Sequence, residues 1–124
     1  MHMKRAPGEP LQAFKAEFFK ALAHPTRIRI LEILVRGART VQELQAALGL
    51  DQPSVSQQLA VLRAKQIVAA RKEGAAVRYE VRDPSLGELL DVARRIFDHQ
   101  LIGTQTMLRE LRREAPRRRT RAGS

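Results

Sequence analysis

Five short, uncharged hydrogen-bonding side chains crowd one stretch of this chain. They are Gln52, Ser54, Ser56, Gln57 and Gln58, in the run LDQPSVSQQLAVLRAKQIV from Leu50 to Val68. The chemistry open to them is hydrogen bonding to base edges. Gln offers a donor and an acceptor together, as adenine N6 and N7 require, and Ser fits either base type. The commoner use of such residues is a solvated helix face, so the neighbours must decide. Val55, Leu59 and Leu62 recur at helical spacing with Val61 beside them, and mark the back of a helix turned to a core. Asp51 or Gln52 can cap its start, and Pro53 fits the first helical position, where a missing N–H costs nothing.

The charge balance points the same way. The chain has 124 residues, 23 Lys and Arg against 13 Asp and Glu, and a net charge of +10. A polyanionic partner is favoured, nucleic acid before an anionic membrane surface. Half of the excess is local. Six Arg against Glu114 put +5 in residues 112–124, so the body of the chain is only moderately basic. The absence of Cys excludes disulfides, thiolate metal sites and thiol redox switching. No apolar run approaches the roughly 18 residues of a membrane span, and no signal-peptide core opens the chain. A cytoplasmic, nucleoid-associated protein is expected.

The elements that must position the Ser/Gln stretch follow from periodicity. Residues 1–10, with Pro7, Gly8 and Pro10, read as irregular. Leu11 to Ala23 reads as a first helix, with Leu11, Phe14, Phe18 and Leu22 spaced by threes and fours and Phe19 widening the stripe. His24 then Pro25 punctuate, His24 as a cap or turn residue. Thr26 to Val35 is a second helix, apolar on most sides and therefore buried. Arg27 and Arg29 near its start read as ion-paired or solvated rather than as phosphate ligands. Gly37 reads as its left-handed C-cap. Thr40 to Glu43 is a capping-box pattern opening a short third helix, which Gly49 closes. Two short helices about a tight Gly-containing turn make a helix-turn-helix, whose second helix enters the major groove N-terminus first.

After Lys65 the period becomes two. Ile67 to Lys72 and Val77 to Arg82 read as a two-stranded hairpin turning through Glu73 to Ala76, with Arg71, Lys72 and Arg78 around its tip. Such a wing neutralises phosphates beside the groove, although a merely solvated hairpin is the alternative. Lys65, and Arg39 before the third helix, join these three as candidate phosphate ligands. Asp83 then Pro84 start a last helix. Its seam of Leu86, Leu90, Ala93, Phe97, Leu101, Thr104, Leu108 and Leu111 is longer than a small winged domain can cover. That predicts helix-on-helix packing across a dimer, closure of the domain's own core by Phe97 being the alternative. Gly103 is a candidate interruption, costing about 1 kcal/mol against Ala. Residues 11–102 thus form the winged domain with its dimerisation helices and 103–114 a helix extension. Residues 115–124 form an Arg-rich tail with nothing to bury, expected to be disordered.

The runs FFKALAHPTRIRILEIL, VQELQAALGLDQPSVSQQLAVLRAKQIV and RKEGAAVRYEV resemble the ArsR/SmtB family of bacterial winged-helix transcriptional regulators, over about residues 14–102. The middle run is the most specific. Family members carry Gln-Ser-x-Val-Ser-His-His-Leu, and here Gln52 to Leu59 match it with Gln57 and Gln58 in place of both histidines. The resemblance implies a mainly α fold with a two-stranded β wing, and a homodimer through the first and last helices. Phe14, Phe18, Leu90, Ala93, Phe97 and Leu101 would lie at that interface. It also implies an operator DNA partner and repression relieved by a metal or other effector. The family's cysteine metal site falls on Thr40, Val41 and Gln42 and is absent. Its last-helix site falls on Asp83, Ser85, Ile96 and His99, where two of four ligand types survive. Asp83 and His99 are therefore weak candidates for zinc or nickel, which want three or four N/O ligands.

Two function classes stay open at this point. One is a dimeric, sequence-specific DNA-binding regulator, a repressor before an activator. The other is a winged-helix protein-interaction module, or an architectural protein bound to DNA by its Arg tail, since fold does not fix function. An enzyme is not expected: there is no Gly-rich phosphate loop, no nucleophile motif and no patterned carboxylate pair.

Overall fold

The computed structural model describes residues 9–114. The expected tail 115–124 and the first eight residues of the expected irregular start lie outside the described residues. Eight elements follow in order: α1 (Glu9–Leu22), α2 (Pro25–Leu34), β1 (Arg39–Thr40), α3 (Val41–Leu48), α4 (Gln52–Ala64), β2 (Val68–Glu73), β3 (Ala76–Val81) and α5 (Ser85–Glu114). The chain divides into two units after Gly87.

The first unit holds the core. Ile30, Leu31 and Leu34 of α2 are buried with Leu44 and Leu48 of α3, Val55, Leu59 and Leu62 of α4, and Ile67 and Val68 at the entry to β2. Among the described residues no polar or charged side chain is buried. Each fully buried aliphatic side chain contributes about 1.5–3 kcal/mol, so this cluster fixes the relative placement of α2, α3 and α4.

Local chemistry sets the boundaries. His24 is the N-cap of α2, its Nδ1 accepting the Thr26 N–H at 3.1 Å. Thr40 and Glu43 form the capping box at α3, and Gly49, at φ 69° and ψ 35°, closes that helix in the left-handed conformation. Asp51 caps α4, accepting the Ser54 N–H at 2.9 Å. Helix α4 ends in a Schellman pattern, with the Gln66 N–H on Arg63 O and the Ile67 N–H on Leu62 O, both 2.9 Å. Gln66 occupies the left-handed position at φ 60°, where glycine is usual.

Several expectations are corrected. Helix α1 begins at Glu9, because Pro10 is tolerated in a first helical turn. Pro53 is the second helical residue, since Asp51 rather than Gln52 is the cap. Helix α2 ends at a right-handed Val35, and Gly37 at φ 153° is not its left-handed cap. The sheet has three antiparallel strands in the order β1-β3-β2, not two. Arg39 pairs with Tyr79 and Thr40 with Arg78. A two-residue strand is too short to show a period, and Thr40 also caps α3. The hairpin loop is only Gly74 and Ala75, since Glu73 pairs with Ala76. Gly74, at φ 64°, supplies the positive φ that a two-residue hairpin loop needs.

In the second unit α5 continues without a break from Glu88 to Glu114. Gly103 does not interrupt it; a Cβ there would meet open space. The extension 103–114 is therefore the end of one helix. Phe97 is 57% exposed and Leu101 61%.

Candidate nucleic-acid interface

Helix α4 carries the Ser/Gln run, but the consecutive Ser56, Gln57 and Gln58 cannot share one face at about 100° per residue. With Val55, Leu59 and Leu62 turned to the core, Gln57 stands nearly opposite them and is exposed. Pro53, Ala60 and Ala64 share its stripe, so Gln57 is the one long polar side chain there. Ser54 and Gln58 fall on one flank and Gln52, Ser56 and Arg63 on the other.

The flanks are partly committed. On the first, the Gln58 carboxamide oxygen accepts from Arg27 Nε at 2.8 Å. A guanidinium has no acceptor, so the amide is oriented with its NH2 away from Arg27. Arg27 also donates from Nη1 to the Ala21 carbonyl at 3.0 Å, closing an open carbonyl near the end of α1. Sequence reasoning missed this role, because it depends on a contact between residues 31 apart. On the other flank Gln52 Nε2 donates to Ser56 Oγ at 2.6 Å. Gln57 has no such commitment among the described residues.

The wing separates the predicted cations by strand alternation. Arg71 and Arg78 lie opposite one another in register and share one face. Arg71 donates to Glu80 at 2.7 Å and lies 3.8 Å from Glu73. Arg78 donates to Glu73 at 2.8 Å and reaches Glu43 and the Ala38 carbonyl, each at 3.4 Å. Lys72 is on the other face and has no ion pair among the described residues. Lys65 pairs with Glu17 at 3.3 Å, and Arg39 donates to the Ala38 carbonyl at 3.0 Å. Exposed ion pairs of this kind contribute about 0–1 kcal/mol each.

The carboxyls that hold this region together are acidified. Glu43 is held below its usual range chiefly by the Thr40 N–H. Asp51 is lowered by the Ser54 hydroxyl and amide. Glu17 is lowered by hydrogen bonding to Lys65 and then by Lys20.

A groove of about 420 Å3 runs between α4 and β3, lined by Ser56, Leu59, Ala60, Arg63, Ala64 and Tyr79. Sequence reasoning assigned no role to Arg63 or Tyr79. Arg63 lies seven residues after Ser56, which places both on one helix flank, and that spacing was available.

Among the described residues no three His, Asp or Glu side chains come together. Asp83 Oδ1 already accepts the Ser85 N–H at 2.9 Å, and His99 is exposed on α5. The expected interface residues divide similarly by element. Phe14 on α1 is 72% exposed, while Phe18 is half-buried with its ring edge on Phe19. Leu90 and Ala93 on α5 are half-buried.

Residues 24–70 match the family described as "Bacterial regulatory protein, arsR family". The uncharacterised HTH-type transcriptional regulator Rv0081 of Mycobacterium tuberculosis is 50% identical over 106 residues, 85% of this chain and 93% of that protein. Its crystal structure superposes with a TM-score of 0.72, covering 77% of this chain and 97% of that one. The crystal structure of the transcriptional repressor BigR from Xylella fastidiosa is 34% identical, with a TM-score of 0.65 over 72% of this chain and 91% of that one. The homodimeric winged helix-turn-helix DNA-binding domain Mb0332 from Mycobacterium bovis is 27% identical. Its TM-score is 0.70, over 79% of this chain and 92% of that one.

Proposed function

Since the chain belongs to the arsR family of bacterial regulatory proteins, we propose that it is a homodimeric repressor that reads an operator through α4 and answers to an effector. A DNA-binding transcriptional regulator is the family's function and this chain's. The observation that carries the finer reading is the placement of Gln57. It is the free polar side chain at the centre of a capped, core-anchored helix, with a wing beside it. Ser54, Ser56, Gln52 and the Gln58 amide flank it. The repressor sign is supported by relatives named as repressors, among them the biofilm growth-associated repressor of X. fastidiosa.

A second copy is the cover for the apolar side chains that α1 and α5 each leave exposed, among them Phe14, Ile96, Phe97 and Leu101. The homodimeric Mb0332 domain supports this. Two protomers then present two α4 helices to two half-sites, as paired recognition helices do. The protein works in the cytoplasm, at the nucleoid. Among the described residues no helix is long and apolar enough to cross a membrane. Zinc and nickel are poor candidates for the effector, because Asp83 and His99 supply too few ligands.

The test is a fluorescence-anisotropy titration with a duplex from the upstream region of its own gene, against a scrambled duplex of equal length, at about 0.15 M salt. A preference of roughly 10³-fold or more is expected. Gln57→Ala should lower discrimination at one base position per half-site by about 1–3 kcal/mol and leave scrambled-duplex binding unchanged. Adding zinc or nickel should not release the DNA. Equal binding of the wild type to both duplexes would overturn the operator-reading assignment.

A further inference from the structure

The wing's two faces differ in a way the sequence does not announce, and the difference relocates the DNA backbone. Arg71 and Arg78 share a face with Glu73 and Glu80, and Arg78 also meets Glu43 of α3. Two cations meet three carboxylates there, so that face offers a phosphate no net attraction. The opposite face carries Lys72 and Tyr79, and Tyr79 lines the groove against α4. Across that groove stands Arg63, exposed and without an ion pair among the described residues. Ser56, also in the groove's lining, belongs to the proposed reading helix. Ala60 and Ala64 keep the floor low, leaving room for a close approach.

We propose that this groove seats one sugar-phosphate strand of the operator. Arg63 and Lys72 are its phosphate cations and the Tyr79 hydroxyl a neutral donor. The inference rests on the operator-reading role of α4 and replaces the expectation that Arg71 and Arg78 hold the phosphates. Charge complementarity selects the occupant: the groove is lined mainly by small and apolar side chains, with the unpaired Arg63 on its helix wall, and the unpaired Lys72 lies beyond that lining on the same wing face as Tyr79. Phosphate contacts position a protein and carry no sequence information, so they leave a mark distinct from that of Gln57.

The experiment is a salt series between about 50 and 200 mM, in which log affinity falls by about 0.9 per phosphate neutralised for each decade of salt. Full-length Arg63→Ala, Arg63→Gln and Lys72→Ala proteins are compared with Arg71→Ala and Arg78→Ala. Each is checked by circular dichroism melting. The Arg63 and Lys72 variants should each lower the slope by about 1 and weaken own-operator and scrambled duplexes alike. Tyr79→Phe should weaken both severalfold with the slope unchanged. The Arg71 and Arg78 variants should keep the wild-type slope. A wild-type slope in the Arg63 and Lys72 variants, or an equal fall in the Arg71 and Arg78 variants, would overturn the proposal while leaving operator reading intact. Failure of operator reading shows separately, as a wild-type protein that binds both duplexes equally.

Discussion

The unit ending at Gly87 and the helix that follows it spend their apolar residues differently. In the first, α2, α3 and α4 bury theirs against one another, and Ile30, Leu31, Leu44, Val55 and Leu62 are fully enclosed. In the second, Val92, Ile96, Phe97, Leu101, Ile102, Met107, Leu108 and Leu111 are all exposed. The α2–α4 cluster therefore carries its own folding energy, whereas these side chains of α5 contribute no burial free energy among the described residues. Stability of the α2–α4 core should be independent of protein concentration, and order in α5, like the cover of α1, should depend on it through the proposed dimer.

The largest break in that contrast is Leu62→Ala. It empties a site at the junction of α4 with the core, and about 2–5 kcal/mol of stability should be lost in chemical denaturation. The loss should be the same at every protein concentration. Phe97→Ala should instead weaken self-association by about 1 kcal/mol or more per dimer, read by sedimentation, since aromatic anchors dominate interfaces. Melting of the winged unit at high dilution should not move. Gln66→Gly sharpens the picture of a self-sufficient first unit. It relieves a left-handed non-glycine residue, and a gain of up to about 1 kcal/mol is expected from the melting curve, partly offset by glycine's freedom when unfolded.

The smallest effect is the acid one. The Glu43 and Asp51 pKa values lie below their usual ones in the folded chain. Their contribution is therefore complete above the unfolded values, near 4.5 and 3.8, and is lost as pH falls through the lower folded values. Acid titration followed by circular dichroism should show the starts of α3 and α4 loosening only below that range. Asp51→Asn, which keeps a capping oxygen but cannot titrate, should remove the α4 part of the response.

Much of this architecture was legible because its signals are local. The capping box at Thr40, the Asp51 cap and the buried stripe of α4 each depend on residues within four positions. What was not legible depends on register or on distance. Strand β1 is two residues long, and its membership in the sheet exists only through Tyr79 and Arg78. The commitment of Gln58 to Arg27 and the pairing of Arg78 with Glu43 join residues more than 30 positions apart. Three polar residues in a row, Ser56 to Gln58, look like one surface, and only the helical turn separates Gln57 from its neighbours. The wing cations were read as one cluster because sequence shows their proximity but not the strand alternation that puts Lys72 on the opposite face.

Thr40 belongs to two structures at once, as the N-cap of α3 and as the strand residue paired with Arg78. The base of the hairpin and the start of the helix-turn-helix are thus one rigid fulcrum. From Lys72 to Val77 the hairpin has no third strand beside it among the described residues, so its outer half is a lever whose base is held at Thr40. Hydrogen-exchange protection should accordingly be high for the amides of β3 near Tyr79 and fall off toward Gly74. Any tilt of α3 would therefore be passed through Thr40 to the base of the hairpin, and most strongly displayed at its tip.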